Sequence, residues 1–231
     1  MLRKIRIILA AIFFVGITLL FLDFTGAIHH WLGWMAKIQF LPAILALNFI
    51  VVVALAIITF VFGRLYCSVI CPLGVFQDII AWFSTRKKKN RYQPTKAKNI
   101  LRYITLGVFA LLMVLGLNSV AILIAPYSAY GRIAQNIFSP VYLAGNNVLA
   151  YFAERAESYT FYSTDVWIRS IPTFLIALVT MVGIGILAWR GGRTWCNTIC
   201  PVGTVLGFIS RFSLFKPVID HEKCIQCHAC I

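Results

Sequence analysis

Charge is scarce in this chain, and acid scarcer still. Only 12% of the 231 residues are Asp, Glu, Lys or Arg, roughly half the share of a soluble domain. Seven are acidic against 21 Lys and Arg, leaving a net charge of +14. Histidine is rare too: His29 and His30 stand together, and His221 and His228 lie in the tail. That supply does not favour a haem, whose axial ligands must face each other across a pocket. No glycine-rich nucleotide loop, no Ser/His/Asp set and no paired carboxylates are present. The cores of the long apolar runs hold no acid or base, which counts against a transporter with a proton or ion pathway.

What the chain has instead is apolar length. Hydrophobic residues make up 61% of it. Four runs, about 5–22, 41–62, 101–124 and 171–189, carry charge only at their edges, as Arg6 and Arg102. About 20 apolar residues cross the hydrocarbon as a helix, so the runs predict four spanning helices. Arg3, Lys4 and Arg6 precede the first run, and Arg64 and the basic stretch 86–98 follow the second. Arg190, Arg193, Arg211, Lys216 and Lys223 follow the fourth. The loop 23–40 has only Lys37, and in 125–170 Arg132, Arg155 and Arg169 are balanced by Glu154, Glu157 and Asp165. Basic residues on alternate loops predict a multi-pass protein with both termini in the cytoplasm. The run Arg86–Arg91 then reads as a topology anchor against anionic membrane lipid, and not as a nucleic-acid site. Thr25-Gly26-Ala27 resembles a signal cleavage site, but the apolar core before it is long for a signal peptide. Asn48 and Asn118 are expected to hydrogen-bond between helices. Trp31 and Trp34 suit an interfacial aromatic belt, and His29 or His30 could contact a quinone.

One stretch occurs twice. RLYCSVICPLG at 64–74 matches RTWCNTICPVG at 193–203, with Gly63 matching Gly192. Cys67 aligns with Cys196, Cys71 with Cys200, Pro72 with Pro201 and Gly74 with Gly203. Each copy follows an even-numbered span and precedes an amphipathic stretch expected at the membrane surface, VFQDIIAWF or TVLGFISRF. The chain reads as two two-helix halves related as parallel repeats. On a continuous helix the Cys-x3-Cys spacing would put both sulfurs on one face. Cytoplasmic cysteines rarely form structural disulfides. Cys67, Cys71, Cys196 and Cys200 therefore predict a redox or second metal site: a shared iron–sulfur cluster, a reversible dithiol or a soft-metal site.

The tail reads DHEKCIQCHACI, and Cys224, Cys227 and Cys230 have the Cys-x2-Cys-x2-Cys spacing of 4Fe–4S proteins. Zinc held by cysteine and by His221 or His228 is the chemical rival. Three thiolates leave one iron without a ligand, so residues 216–231 read as the start of a ferredoxin-type segment, apparently incomplete. Residues 1–215 form the membrane domain.

Two Cys-x3-Cys-Pro motifs after alternate spans, followed by the ferredoxin-like tail, resemble the NapH-type polyferredoxins. These are quinol-dehydrogenase membrane components of periplasmic nitrate reductase systems. The layout is similar to the membrane parts of NosR and CcoG. The resemblance implies an all-α bacterial inner-membrane protein with tail clusters of the 4Fe–4S type. It implies electron transfer between the quinone pool and a respiratory reductase or its partners, ferredoxin-type or cytochrome subunits, as part of a redox complex and not as a stand-alone enzyme. The alternative is an assembly or regulatory factor that handles or reduces copper, because soft thiolates bind Cu(I).

Overall fold

The computed structural model describes residues 2–23, 26–87, 99–155, 163–164 and 170–215, and among them every regular element is helical. The first and fourth apolar runs each become one unbroken helix, α1 (Leu2–Leu22) and, later in the chain, the helix Ile171–Gly191. Both are long and apolar enough to cross a membrane, and only 17% of each apolar window is buried against protein. A core helix of a soluble protein buries such a surface. Here Ile8, Ile12, Val179 and Ile186 point outward.

The second and third runs depart from the expectation of unbroken spans. The second divides into α3 (Phe40–Leu45) and α4 (Phe49–Phe62), after α2 (Ala27–Lys37) in the first loop. At the break Leu47 takes φ 51, and Asn48 N donates back to Ala43 O at 2.9 Å. The third divides into α6 (Asn99–Val114) and α7 (Asn118–Ile124), after α5 (Pro72–Lys87). Gly116 takes φ 73 there, and Leu117 N donates to Leu112 O at 3.0 Å. Both breaks are helix-ending turns that satisfy the last carbonyls through a left-handed residue. Asn48 does not bond across helices. Its side chain accepts from Val51 N at 3.4 Å and starts α4, the ordinary preference of Asn at a helix start.

The described part of the loop 125–170 folds into short helices of its own, as its length predicts. They are α8 (Pro126–Ile133), a π-helical turn (Ala134–Phe138) and α9 (Ser139–Arg155), ahead of α10 (Ile171–Gly191). Tyr130 of α8 is fully buried, with its hydroxyl 2.6 Å from Thr18 Oγ1 of α1. The second cysteine motif forms α11 (Thr194–Thr198) and α12 (Pro201–Ile209).

Packing crosses the halves. α5, from the first repeat, lies against α10, α1 and α8. α12, from the second, lies against α6 and α4. α5 is buried near its start, at Leu73, Val75 and Gln77, and leaves Trp82 and Phe83 exposed towards its end. After α12 the chain returns to the first half: Leu214 N and Phe215 N donate to Phe60 O and Val61 O, both at 3.0 Å. Those carbonyls end α4 and would otherwise lack partners.

Candidate cysteine site between the two repeats

The repeat seen in sequence is also a repeat of backbone. Gly63 and Gly192 stop the preceding helices with φ 71 and 64. A tight turn then carries the first cysteine of each pair: Cys67 in the π-helical turn Tyr66–Ile70, Cys196 in α11. Proline pushes the residue before it out of helical geometry. Cys71 accordingly sits at φ −77, ψ 115 and Cys200 at φ −68, ψ 118. Cys71 N donates to Tyr66 O at 2.9 Å, and Cys200 N to Trp195 O at 3.0 Å.

The idea of both sulfurs on one continuous helical face therefore needs correction. The first cysteine lies within a turn, and the second stands immediately before the next helix, with Pro72 or Pro201 as that helix's first residue. Gly203 N donates to Cys200 Sγ at 3.3 Å. Gly74 and Gly203 are required for a steric reason: a Cβ at either would collide with the backbone carbonyl of Cys67 or Cys196.

All four cysteines are buried and free. Burial pushes every thiol up, Cys71 to about 12. The thiols also raise one another: Cys200, Cys67 and Cys71 all act on Cys196. Arg193 and Arg64 oppose burial at Cys67. The pairs thus act on one another across the contact between the halves, and burial favours the neutral thiol in each.

Gln77, Arg64 and Arg193 are among the side chains that cross that contact. Gln77, fully buried on α5, donates to Cys196 Sγ at 3.2 Å. Arg64 Nη1 donates to Asn197 Oδ1 at 2.7 Å. Arg193 pairs with Asp78, its Nε 2.6 Å from Oδ1 and its Nη2 on Oδ2. Beneath Cys71, Tyr66 donates to Gln39 Oε1 at 3.0 Å and accepts from Phe40 N at 3.0 Å, while Gln39 Nε2 donates to Ile70 O at 3.2 Å. Sequence reasoning missed Gln77, Asp78, Asn197 and Gln39. Arg64 and Arg193 were visible as a matched pair, and their alignment was the available signal.

The donor chemistry suits soft metal or iron–sulfur, since it is sulfur throughout. The geometry is closed: among the described residues no three His, Cys, Asp or Glu side chains gather where they could hold an ion. Cys224, Cys227 and Cys230 lie outside the described residues. His29 and His30 stand exposed on α2, whose start is held by Asp23 through Gly26 N and His29 N, both at 2.9 Å.

Known proteins resemble the chain in sequence. A family described as a 4Fe-4S binding domain matches twice, at residues 44–91 and 173–219. Each matched segment holds one buried cysteine pair. The chain is a relative of the NapH-type ferredoxin proteins. It is 30% identical to the ferredoxin-type protein NapH of Haemophilus influenzae, over 73% of this chain and 46% of that one. The methylamine utilization ferredoxin-type protein MauN of Methylobacillus flagellatus is 25% identical over 73% of this chain and 47% of its own length. The putative electron transport protein YccM of Escherichia coli is 24% identical over 82% and 46%. The chain spans about half the length of the curated relatives it matches. No solved structure matches it. The cofactor of this NapH-like chain is of the 4Fe–4S type.

Proposed function

We propose that the protein passes electrons between the quinone pool and a respiratory reductase or its partner subunits, from a bacterial inner membrane that it crosses four times with both termini in the cytoplasm. The observation that carries this reading is the doubled 4Fe-4S family match on two segments that each bury a cysteine pair. The relatives named as ferredoxin-type and electron transport proteins support the electron-transfer part. The outward apolar faces of α1 and α10 support the membrane part, and the alternation of basic loops supports the orientation. In this reading Cys224, Cys227 and Cys230 are cluster ligands, and Cys67, Cys71, Cys196 and Cys200 form a second redox-active site. Ferredoxin-type or cytochrome subunits are the redox partners, and His29 or His30 contacts the quinone.

The test is iron and acid-labile sulfide analysis of the full chain purified without oxygen, with EPR after reduction. Bound iron and sulfide with a reduced-cluster signal are expected. Replacement of Cys67 or Cys196 by Ser is expected to slow reduction by a quinol analogue while the tail signal persists. A colourless, metal-free preparation would refute the reading. Copper in place of iron at the two cysteine pairs would favour the copper-handling role instead.

A further inference from the structure

The two repeats differ in charge at one matched position. Residue 78 of the first aligns with residue 207 of the second. Asp78 receives both donors of Arg193. At 207 the chain has glycine. Arg64, the counterpart of Arg193, still reaches that place: a Cβ on Gly207 would lie 2.8 Å from Arg64 Nη2. The guanidinium points where its carboxylate would be, and the carboxylate is missing.

A second cation lies against the same glycine. Arg102, at the start of α6, is 5% exposed, and its Nη2 would collide with a Cβ on Gly207. That nitrogen donates to Gly203 O at 3.1 Å and Thr204 O at 3.2 Å, while its Nε is buried with no partner. The charged groups acting on Arg102 are Arg64, Tyr103 and Arg211, with no carboxylate among them. Of the described acids, Asp78 is committed to Arg193, Asp23 holds the start of α2, and Glu154 belongs to α9. Carbonyl oxygens carry only partial charge, so among the described residues the half-buried Arg64 and the buried Arg102 have no carboxylate counter-ion. Buried charge of that kind calls for a partner. Guanidinium forks match the oxygens of a phosphate in pairs.

We propose that Arg64 and Arg102 form a phosphate-binding site at Gly207, taken by the headgroup of an anionic phospholipid in place of the missing carboxylate. Arg64 follows the end of α4 and Arg102 opens α6, the ends that the basic-loop pattern sets against an anionic leaflet. The lipid source rests on the membrane reading above. The oxyanion site does not.

The test uses the full chain in an uncharged detergent. Thermal unfolding is followed while short-chain phosphatidylglycerol, a diacylglycerol with the same acyl chains, or inorganic phosphate is added. Phosphatidylglycerol is expected to raise the midpoint by several degrees and diacylglycerol to leave it unchanged. Protection by phosphatidylglycerol alone identifies the lipid as the source. Protection by inorganic phosphate as well assigns a free-phosphate site that needs no membrane. Arg64→Gln is expected to weaken binding about tenfold. Gly207→Asp sets a carboxylate against the guanidinium ends of Arg64 and Arg102, and is expected to abolish the response. Equal protection by diacylglycerol, or a response unchanged in both variants, overturns the proposal. So does a response that appears only after Asp220→Asn and Glu222→Gln, because the chain's own carboxylates would then be the occupant. None of these readouts depends on a cluster, so failure of the electron-transfer reading leaves the result intact.

Discussion

Gly74→Ala and Gly203→Ala put one methyl group against a backbone carbonyl, that of Cys67 or Cys196. The obstacle is main chain, fixed by the turn that carries the first cysteine, so it cannot swing aside as a side-chain end would. Overpacking in a tight site costs 1–3 kcal/mol, and a backbone obstacle places these substitutions at the upper end, about 3 kcal/mol each. Gly203→Ala also strains the Gly203 N bond to Cys200 Sγ, for about a further 1 kcal/mol. Gly145, on an exposed part of α9, is the control, since a Cβ there meets nothing within 4 Å. Gly145→Ala is expected to stabilise by about 0.5–1 kcal/mol, because alanine loses less freedom on entering a helix. Chemical unfolding of the full chain in detergent gives the ranking, and alkylation of the buried thiols gives an independent reading. Both motif variants should unfold earlier and label faster than wild type. If Gly74→Ala proved as stable as Gly145→Ala, the close approach of turn and helix would be disproved.

Asp78→Asn leaves Arg193 without its anion. With the two side chains 27% and 36% exposed, the loss is expected to be about 1–2 kcal/mol in denaturant unfolding, and a double-mutant cycle with Arg193→Gln should recover most of it as coupling. Leu47 holds a left-handed backbone that glycine adopts freely. Leu47→Gly should therefore raise stability by up to about 1 kcal/mol, and a lower unfolding midpoint would contradict the strain. The thiols make stability depend on pH. Burial holds folded Cys71 protonated to about 12, whereas the unfolded chain releases that proton near 9.0. Stability is whole below the lower value and falls as pH rises between the two. Unfolding midpoints measured across that window should decline, and the decline should shrink in Cys71→Ala.

The cysteine repeat was legible because it is written twice, and because proline dictates backbone on both occasions. Cys-Pro sets an extended cysteine ahead of a helix in each copy, a break that the reading of both sulfurs on one helical face overlooked. The helix breaks were harder to read. Nothing in the apolar content of 41–62 or 101–124 signals them, since Leu47 is a poor left-handed residue and Gly116 alone is tolerated inside a helix. Asn48 carried the wrong expectation because a polar residue in an apolar run can either bridge helices or cap one. The crossing contacts were invisible for another reason. Gln77, Asp78 and Asn197 act on residues more than a hundred positions away, and one sequence gives no distance between halves.

Those crossings bear on why the motif is doubled at all. One half would leave Gln77 without a sulfur to meet, Arg193 without Asp78 and Arg64 without Asn197. Gln77 of the first repeat closes over Cys196 of the second, and charge on Cys67 or Cys71 raises the thiols of Cys196 and Cys200. Deprotonating or oxidising one pair must therefore shift the proton affinity of the second, because the interaction is reciprocal. Gln77 is part of that enclosure: its donor side faces Cys196, and its buried Oε1 has no partner among the described residues.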